Sequence, residues 1–200
     1  MIWRRKSSSK GSGPWGPPGH RAYVIGDVHG RLDLLDELLD KIETDHRARS
    51  LAKTTIVFLG DLIDRGPQSA QVVERLRLYQ PPFAQRVFLM GNHEEILLRI
   101  LDGEADLIAD WLRFGGAPCA ESYGINLEQL RIARQSEAVG LLEQAIPHEH
   151  RTFLASFVDT ASFGQYLFVH AGVRPGVPLA SQLPHDLRWI RLPFLDDERD

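Results

Sequence analysis

The chain has a single cysteine, Cys119, among its 200 residues. That excludes an internal disulfide framework and suits a reducing compartment, so a cytoplasmic protein is expected. No apolar run approaches the ~18–20 residues that a membrane span needs. Basic charge is not in excess either. The 23 Lys and Arg stand against 27 Asp and Glu, a formal net charge of −4, which offers no bulk attraction to nucleic acid or to an anionic membrane. The N-terminus, MIWRRKSSSKGSGPWGPPGH, is basic but has no apolar stretch behind it, so it does not read as a secretory signal. Its Gly, Pro and Ser cannot bury enough surface to offset ordering. Residues 1–20 are therefore expected to be a disordered tail, with Arg4, Arg5 and Lys6 solvated.

What the chain does have is a hydrophobic content of 43%, enough for one globular domain, which is expected over residues 21–200. From Tyr23 onward, short apolar runs alternate with amphipathic segments, the pattern of an α/β fold. AYVIG, TTIVFLG (54–60) and RVFLMG (86–91) read as strands. RLDLLDELLDKIETDHR has apolar residues at 32, 34, 35, 38, 39 and 42, a helical period, and helices are also expected at 69–79 and after His93. Residues 104–154 read as mainly helical. A hairpin turning near Phe163-Gly164 then leads into a last apolar strand.

The strand ends carry the chemistry. The first gives Gly26-Asp27-Val28-His29-Gly30. The second gives Gly60-Asp61-Leu62-Ile63-Asp64-Arg65-Gly66-Pro67. The third gives Gly91-Asn92-His93-Glu94, and the last apolar run ends in His170-Ala171-Gly172. Carboxyl ends of neighbouring strands in an open α/β sheet converge on one crevice, which would gather Asp27, His29, Asp61, Asn92 and His170. One such residue alone would be read as a helix cap or turn residue. Repeated at four tips beside glycine, the pattern points instead to a metal site. Carboxylate, imidazole and amide donors suit Mn²⁺, Fe²⁺ or Zn²⁺, and a shared carboxylate would hold two ions ~3.5–4 Å apart.

GDVHG, GDLIDRGP and GNHE, in that order, resemble the signature of the calcineurin-like metallophosphoesterases. Within them the sequence is most similar to the bacterial and phage serine/threonine phosphoprotein phosphatases, a likeness that extends to Trp111–Gly116, His170–Gly172 and Asp186–Arg191. The resemblance implies a four-layer α/β/β/α sandwich with mixed sheets, and two divalent ions, Mn²⁺ foremost. It implies Asp27 and His29 on one ion, Asp61 bridging, and Asn92 and His170 on the other. His93 would be the general acid, oriented by Asp64, with Arg65 and Arg191 gripping phosphate. A hydroxide bridging the two ions would attack phosphorus in line.

One more metal-binding histidine is expected from that resemblance, in a Gly-His-Thr-Pro-like stretch that does not occur here. The expectation is thus a domain truncated at its C-terminus, lacking its last strands and holding its second ion weakly. His148-Glu149-His150 reads as exposed helix capping rather than a replacement. Met90 and Cys119 read as inert packing. Trp111, Phe114 and Tyr123 read as core in preference to groove lining.

The expected activity is hydrolysis of phosphoserine or phosphothreonine in a protein substrate, on the strength of Asp64 before Arg65 and Glu94 after His93. Two alternatives stand beside it: a dinucleoside polyphosphate hydrolase, and a non-catalytic metal- or phosphate-binding module.

Overall fold

A computed structural model of the chain describes residues 2–4 and 15–197. Its centre is a parallel sheet of β2 (His20–Ile25), β3 (Lys53–Phe58) and β4 (Ala84–Phe88), in that order. A parallel bridge between Leu89 and Val158 continues it beyond β4. Helix α1 (Leu32–Ala48) links β2 to β3, and α2 (Ser69–Leu78) links β3 to β4. Helix α3 (Asn92–Leu101) starts just past β4.

The sheet separates two apolar layers because its side chains alternate. Ile25, Ile56, Phe58 and Phe88 join Leu35, Leu39 and Ile42 of α1 in the helical core. Val24, Val57 and Val87 turn the other way, onto a second sheet. The one-sided apolar stripe of α1, at 35, 39 and 42, reflects the same logic at helical spacing.

Residues 105–155 form the helical block expected from the sequence. It runs through α4 (Ile108–Trp111), a π-turn at Leu112–Gly116, α5 (Ala117–Ser122), α6 (Leu127–Ile132), α7 (Gln135–Ala145) and α8 (His148–Ala155). Asn126 starts α6, its side chain accepting the Gln129 N–H at 3.0 Å, an N-cap.

The second sheet is antiparallel: β1 (Ile2–Arg4), β6 (Tyr166–Phe168) and β5 (Ala161–Phe163), ordered β1-β6-β5. The β5–β6 hairpin turns at Gly164. Phe168 faces the parallel sheet, while Leu167 faces outward onto Leu187 of α9 (Pro184–Trp189) and Phe194 of α10 (Leu192–Leu195). The layers are thus helices, parallel sheet, antiparallel sheet and short helices. Among the described residues one sheet is parallel and the other antiparallel, where mixed sheets were expected.

Two expectations need correction. Residues 1–20 are not a tail throughout, because Ile2–Arg4 pairs with Tyr166–Phe168 and His20 already belongs to β2. Residues 5–14 lie outside the described residues. His150 is buried, not exposed. Its Nε2 lies 3.0 Å from Glu74 Oε2 and its Nδ1 3.0 Å from the Tyr123 hydroxyl, so it ties α8 to α2 within the helical core.

Candidate active site

All the strand-end loops meet on one face. The N–H groups of Val28 and His29 donate to Asp61 O at 3.0 and 2.9 Å, and Gly30 N–H donates to Leu62 O at 2.9 Å. The loop after β3 and the start of α3 approach too closely for side chains at two points. A Cβ on Gly60 would lie 2.6 Å from Gly91 N, and one on Gly91 would lie 2.2 Å from Asp61 Oδ1.

Among the described residues, every non-glycine residue at positive φ belongs to this site: His29 (46°), Asp61 (52°), Asp64 (69°) and Arg65 (64°). A left-handed conformation of this kind costs of order 1–3 kcal/mol per residue. The surrounding hydrogen bonds hold it in place.

Foremost among these is Glu94, which in the sequence served only as a mark of substrate class. Fully buried, its carboxylate accepts N–H bonds from Asp61 (2.8 Å), Leu62 (2.7 Å), Ile63 (3.3 Å) and Gly91 (3.1 Å). Burial pushes its pKa up, the Asp61 charge adds to that, and the Asp61 and Leu62 N–H donors pull it back. The bond from Gly91, three residues before it, has capping-box spacing, which was legible in GNHE.

Around Asp61 the candidate ligands cluster in two groups that share it: His29, Asp61 and His93, and Asp27, Asp61 and His170. His29 Nε2 lies 3.8 Å from both Asp27 Oδ2 and Asp61 Oδ2. His170 Nε2 lies 3.5 Å from Asp61 Oδ1 and 3.0 Å from Asn92 Oδ1. Both imidazoles are oriented from behind. His29 Nδ1–H donates to Ile63 O at 2.8 Å, and His170 Nδ1–H donates to Leu59 O at 2.7 Å. A carbonyl only accepts, so in each neutral ring the lone pair sits on Nε2 and points at the carboxylates.

The buried His29 Nε2 has no hydrogen-bond partner. Acceptors turned toward one another in this way are unfavourable unless a cation lies between them. The donor set therefore fits divalent ions, with the backbone carbonyls as the outer partners such sites use.

His93 belongs to the first cluster by distance, with Nε2 3.9 Å from Asp61 Oδ2. Its surroundings differ from those of the other two histidines. Nδ1–H donates to Asp64 Oδ2 at 2.6 Å, and Nε2 lies 3.3 Å from an Arg65 guanidinium nitrogen. Burial alone would lower the His93 pKa. The Asp64 hydrogen bond and the Asp61 and Asp64 charges outweigh it, so the imidazole stays protonated to higher pH than usual.

Two cavities share Arg65 as a wall. The smaller, about 300 Å³, is lined by Asp27, Asp61, Arg65, His170 and Arg191. Arg191 thus reaches the site, and one of its guanidinium nitrogens donates to Ile190 O at 3.0 Å. The larger, about 410 Å³, opens beside His93 and Asn92 and is walled by Ile96, Leu107, Trp111, Phe114 and Trp189. Trp189 is anchored by its indole N–H, which donates to Glu95 Oε2 at 2.8 Å. Phe114 is 62% exposed, so it lines this groove, whereas Tyr123 belongs to the helical core. Cys119 is fully buried and burial drives its thiol pKa up, which keeps it inert.

A family model of calcineurin-like phosphoesterases matches residues 20–199. Over 157 residues the chain is 31% identical to a symmetrical bis(5'-nucleosyl)-tetraphosphatase of Xanthomonas euvesicatoria pv. vesicatoria, with 76% of this chain and 39% of that one covered. Over 108 residues it is 35% identical to the enzyme of the same description from Hamiltonella defensa, covering 46% and 36%. The chain spans about two fifths of the length of these curated relatives. A crystal structure of a candidate diadenosine tetraphosphatase superposes with a TM-score of 0.53 at 22% identity, over 84% of this chain and 58% of that one, a likeness of fold.

Proposed function

The chain belongs to the calcineurin-like phosphoesterases, and from that premise we propose that it hydrolyses the polyphosphate bridge of a dinucleoside polyphosphate. The observation that carries this reading is the aromatic cavity opening beside His93 and Arg65. A planar base stacks on such a wall, and the volume lies within the ~300–1,000 Å³ of small-molecule sites. The likeness to symmetrical bis(5'-nucleosyl)-tetraphosphatases supports it.

Asp64 and Glu94, the two residues that favoured a phosphoprotein over a dinucleotide in the sequence, are both fully buried among backbone N–H groups, His93 and Trp111. They serve the architecture of the site and carry no information about what lies outside it.

In this reading Asp27, His29, Asp61, Asn92 and His170 hold two divalent ions, with Mn²⁺ proposed ahead of Fe²⁺ and Zn²⁺ on donor type. When bound, such ions supply Lewis acidity toward phosphoryl oxygens and bring the pKa of water to about 7. His93 is kept out of the ligand set by its neighbour, since the Arg65 guanidinium beside Nε2 disfavours a second cation there. Arg65 instead grips a phosphate oxygen pair through its planar fork, with Arg191 at the opposite rim. His93 holds a proton at Nε2, hands it to the departing phosphate oxygen, and is kept in the right tautomer by Asp64. The apolar wall of Ile96, Leu107 and Trp189 excludes water from the leaving nucleotide.

The test is to offer the Mn²⁺-supplemented chain diadenosine tetraphosphate and a phosphoserine peptide side by side. Release of nucleotides with little phosphate from the peptide is expected. Turnover of the peptide with the dinucleotide left intact would overturn the reading.

A further inference from the structure

The segment joining α4 to α5 grips two residues that act beside the candidate metal ligands, Asp64 and Arg65. From Leu112 to Gly116 it runs as a π-turn, with Gly115 at φ 124°. Single π-turns of this kind occur frequently at functional sites. At its head Trp111, 4% exposed, donates its indole N–H to Asp64 Oδ2 at 3.0 Å. That is the oxygen that accepts His93 Nδ1–H at 2.6 Å. At its tail Gly115 O accepts the Arg65 N–H at 2.8 Å. A Cβ on Gly115 would lie 2.7 Å from Arg65 Cγ, and one on Gly116 would fall 2.2 Å from the Trp111 ring. Both glycines are therefore required for the segment to close over Asp64 and Arg65.

We propose that Trp111 is a positioning residue: its indole N–H fixes the Asp64 carboxylate and, through it, the angle of the His93 imidazole. The terminal torsion of an aspartate is broad and two-fold. With His93 the only donor left on Oδ2, the carboxylate can rock about that hydrogen bond and carry the ring with it. A second donor, fixed in a packed indole, removes that freedom. The proposal rests on the reading of His93 as the proton donor to the leaving oxygen, but not on the identity of the substrate.

The experiment uses the full chain and the substitution Trp111→Phe, which keeps a ring and deletes the N–H. Turnover of two aryl phosphates is compared with Mn²⁺ present. Phenyl phosphate has a basic leaving oxygen that needs the proton, and p-nitrophenyl phosphate has a weakly basic one that leaves without it. Misplacing a catalytic group by about an ångström costs about 10²-fold. For phenyl phosphate kcat should therefore fall about 10- to 100-fold at unchanged KM, with a much smaller fall for p-nitrophenyl phosphate. Equal losses on both substrates would reduce Trp111 to a packing role and overturn the proposal.

A second measurement needs neither turnover nor that variant. In metal-free chain labelled with ¹⁵N-tryptophan, Asp64→Asn should shift the indole N–H resonance of Trp111 while leaving that of Trp189 in place. An unmoved Trp111 resonance would overturn the proposal. Should the unaltered chain cleave neither aryl phosphate, the resonance alone decides the role of Trp111, and the function proposed above is judged separately, on diadenosine tetraphosphate.

Discussion

Phe114→Ala tests the substrate reading most directly. Phe114 is 62% exposed, and beyond the apolar wall the Arg113 guanidinium lies 4.7 Å from its ring centroid. Removing a side chain with so little buried surface should leave stability within about 0.5 kcal/mol. Binding is another matter. Stacking of a base on an aromatic side chain is worth about 1–3 kcal/mol by alanine substitution, a factor of about 5 to 150 at 1.4 kcal/mol per decade. If the contact is equal in ground and transition states, the loss falls on KM and leaves kcat alone. The assay compares kcat/KM for diadenosine tetraphosphate with that for inorganic tripolyphosphate, which has the anhydride but no base. The expected result is a drop of that size for the dinucleotide and none for tripolyphosphate. Equal losses on the two substrates, or none on the dinucleotide, would refute the assignment of the groove to a base.

Glu94→Ala strips the common acceptor from four buried N–H groups. Each unsatisfied donor costs about 1–3 kcal/mol, so urea unfolding should show a loss of at least about 4 kcal/mol. A change below about 1 kcal/mol would contradict the count. Gly91→Ala places a methyl 2.2 Å from Asp61 Oδ1. Mn²⁺ affinity measured by calorimetry should then fall at least about 10-fold, and unchanged affinity would refute the close approach.

The raised His93 pKa carries a sign. The stability it contributes is full below the unfolded value of 6.5 and is lost as pH climbs through the folded value. In chelator, the urea midpoint should drop over that rise, less so in His93→Asn. Identical slopes in both would show that His93 is not the group responsible.

The elements that were legible in the sequence are those whose causes are local. The apolar positions of α1 and the alternation of β3 have a period, and glycine followed by Asp or Asn marks where each strand stops. What escaped depends on partners far along the chain. Ile2–Arg4 becomes a strand only because Tyr166–Phe168 offers an edge. His150 is buried because Glu74 and Tyr123 receive it. Trp111 meets Asp64 across 47 positions, and nothing in WLRFGG announces that its indole N–H has a carboxylate waiting. The substrate class is not legible for a related reason: the Asp64 and Glu94 side chains face inward and bear no mark of what the site binds.

The four left-handed residues around Asp61 have a thermodynamic corollary. Their unfavourable torsions are held by the chain's own hydrogen bonds, among them those from the Asp61, Leu62 and Ile63 N–H groups to the Glu94 carboxylate. Glycine would relax these torsions, but at each of the four positions it would also delete a group of the site: the His29 imidazole, the Asp61 or Asp64 carboxylate, or the Arg65 guanidinium. Heat resistance gained there would cost the site its chemistry.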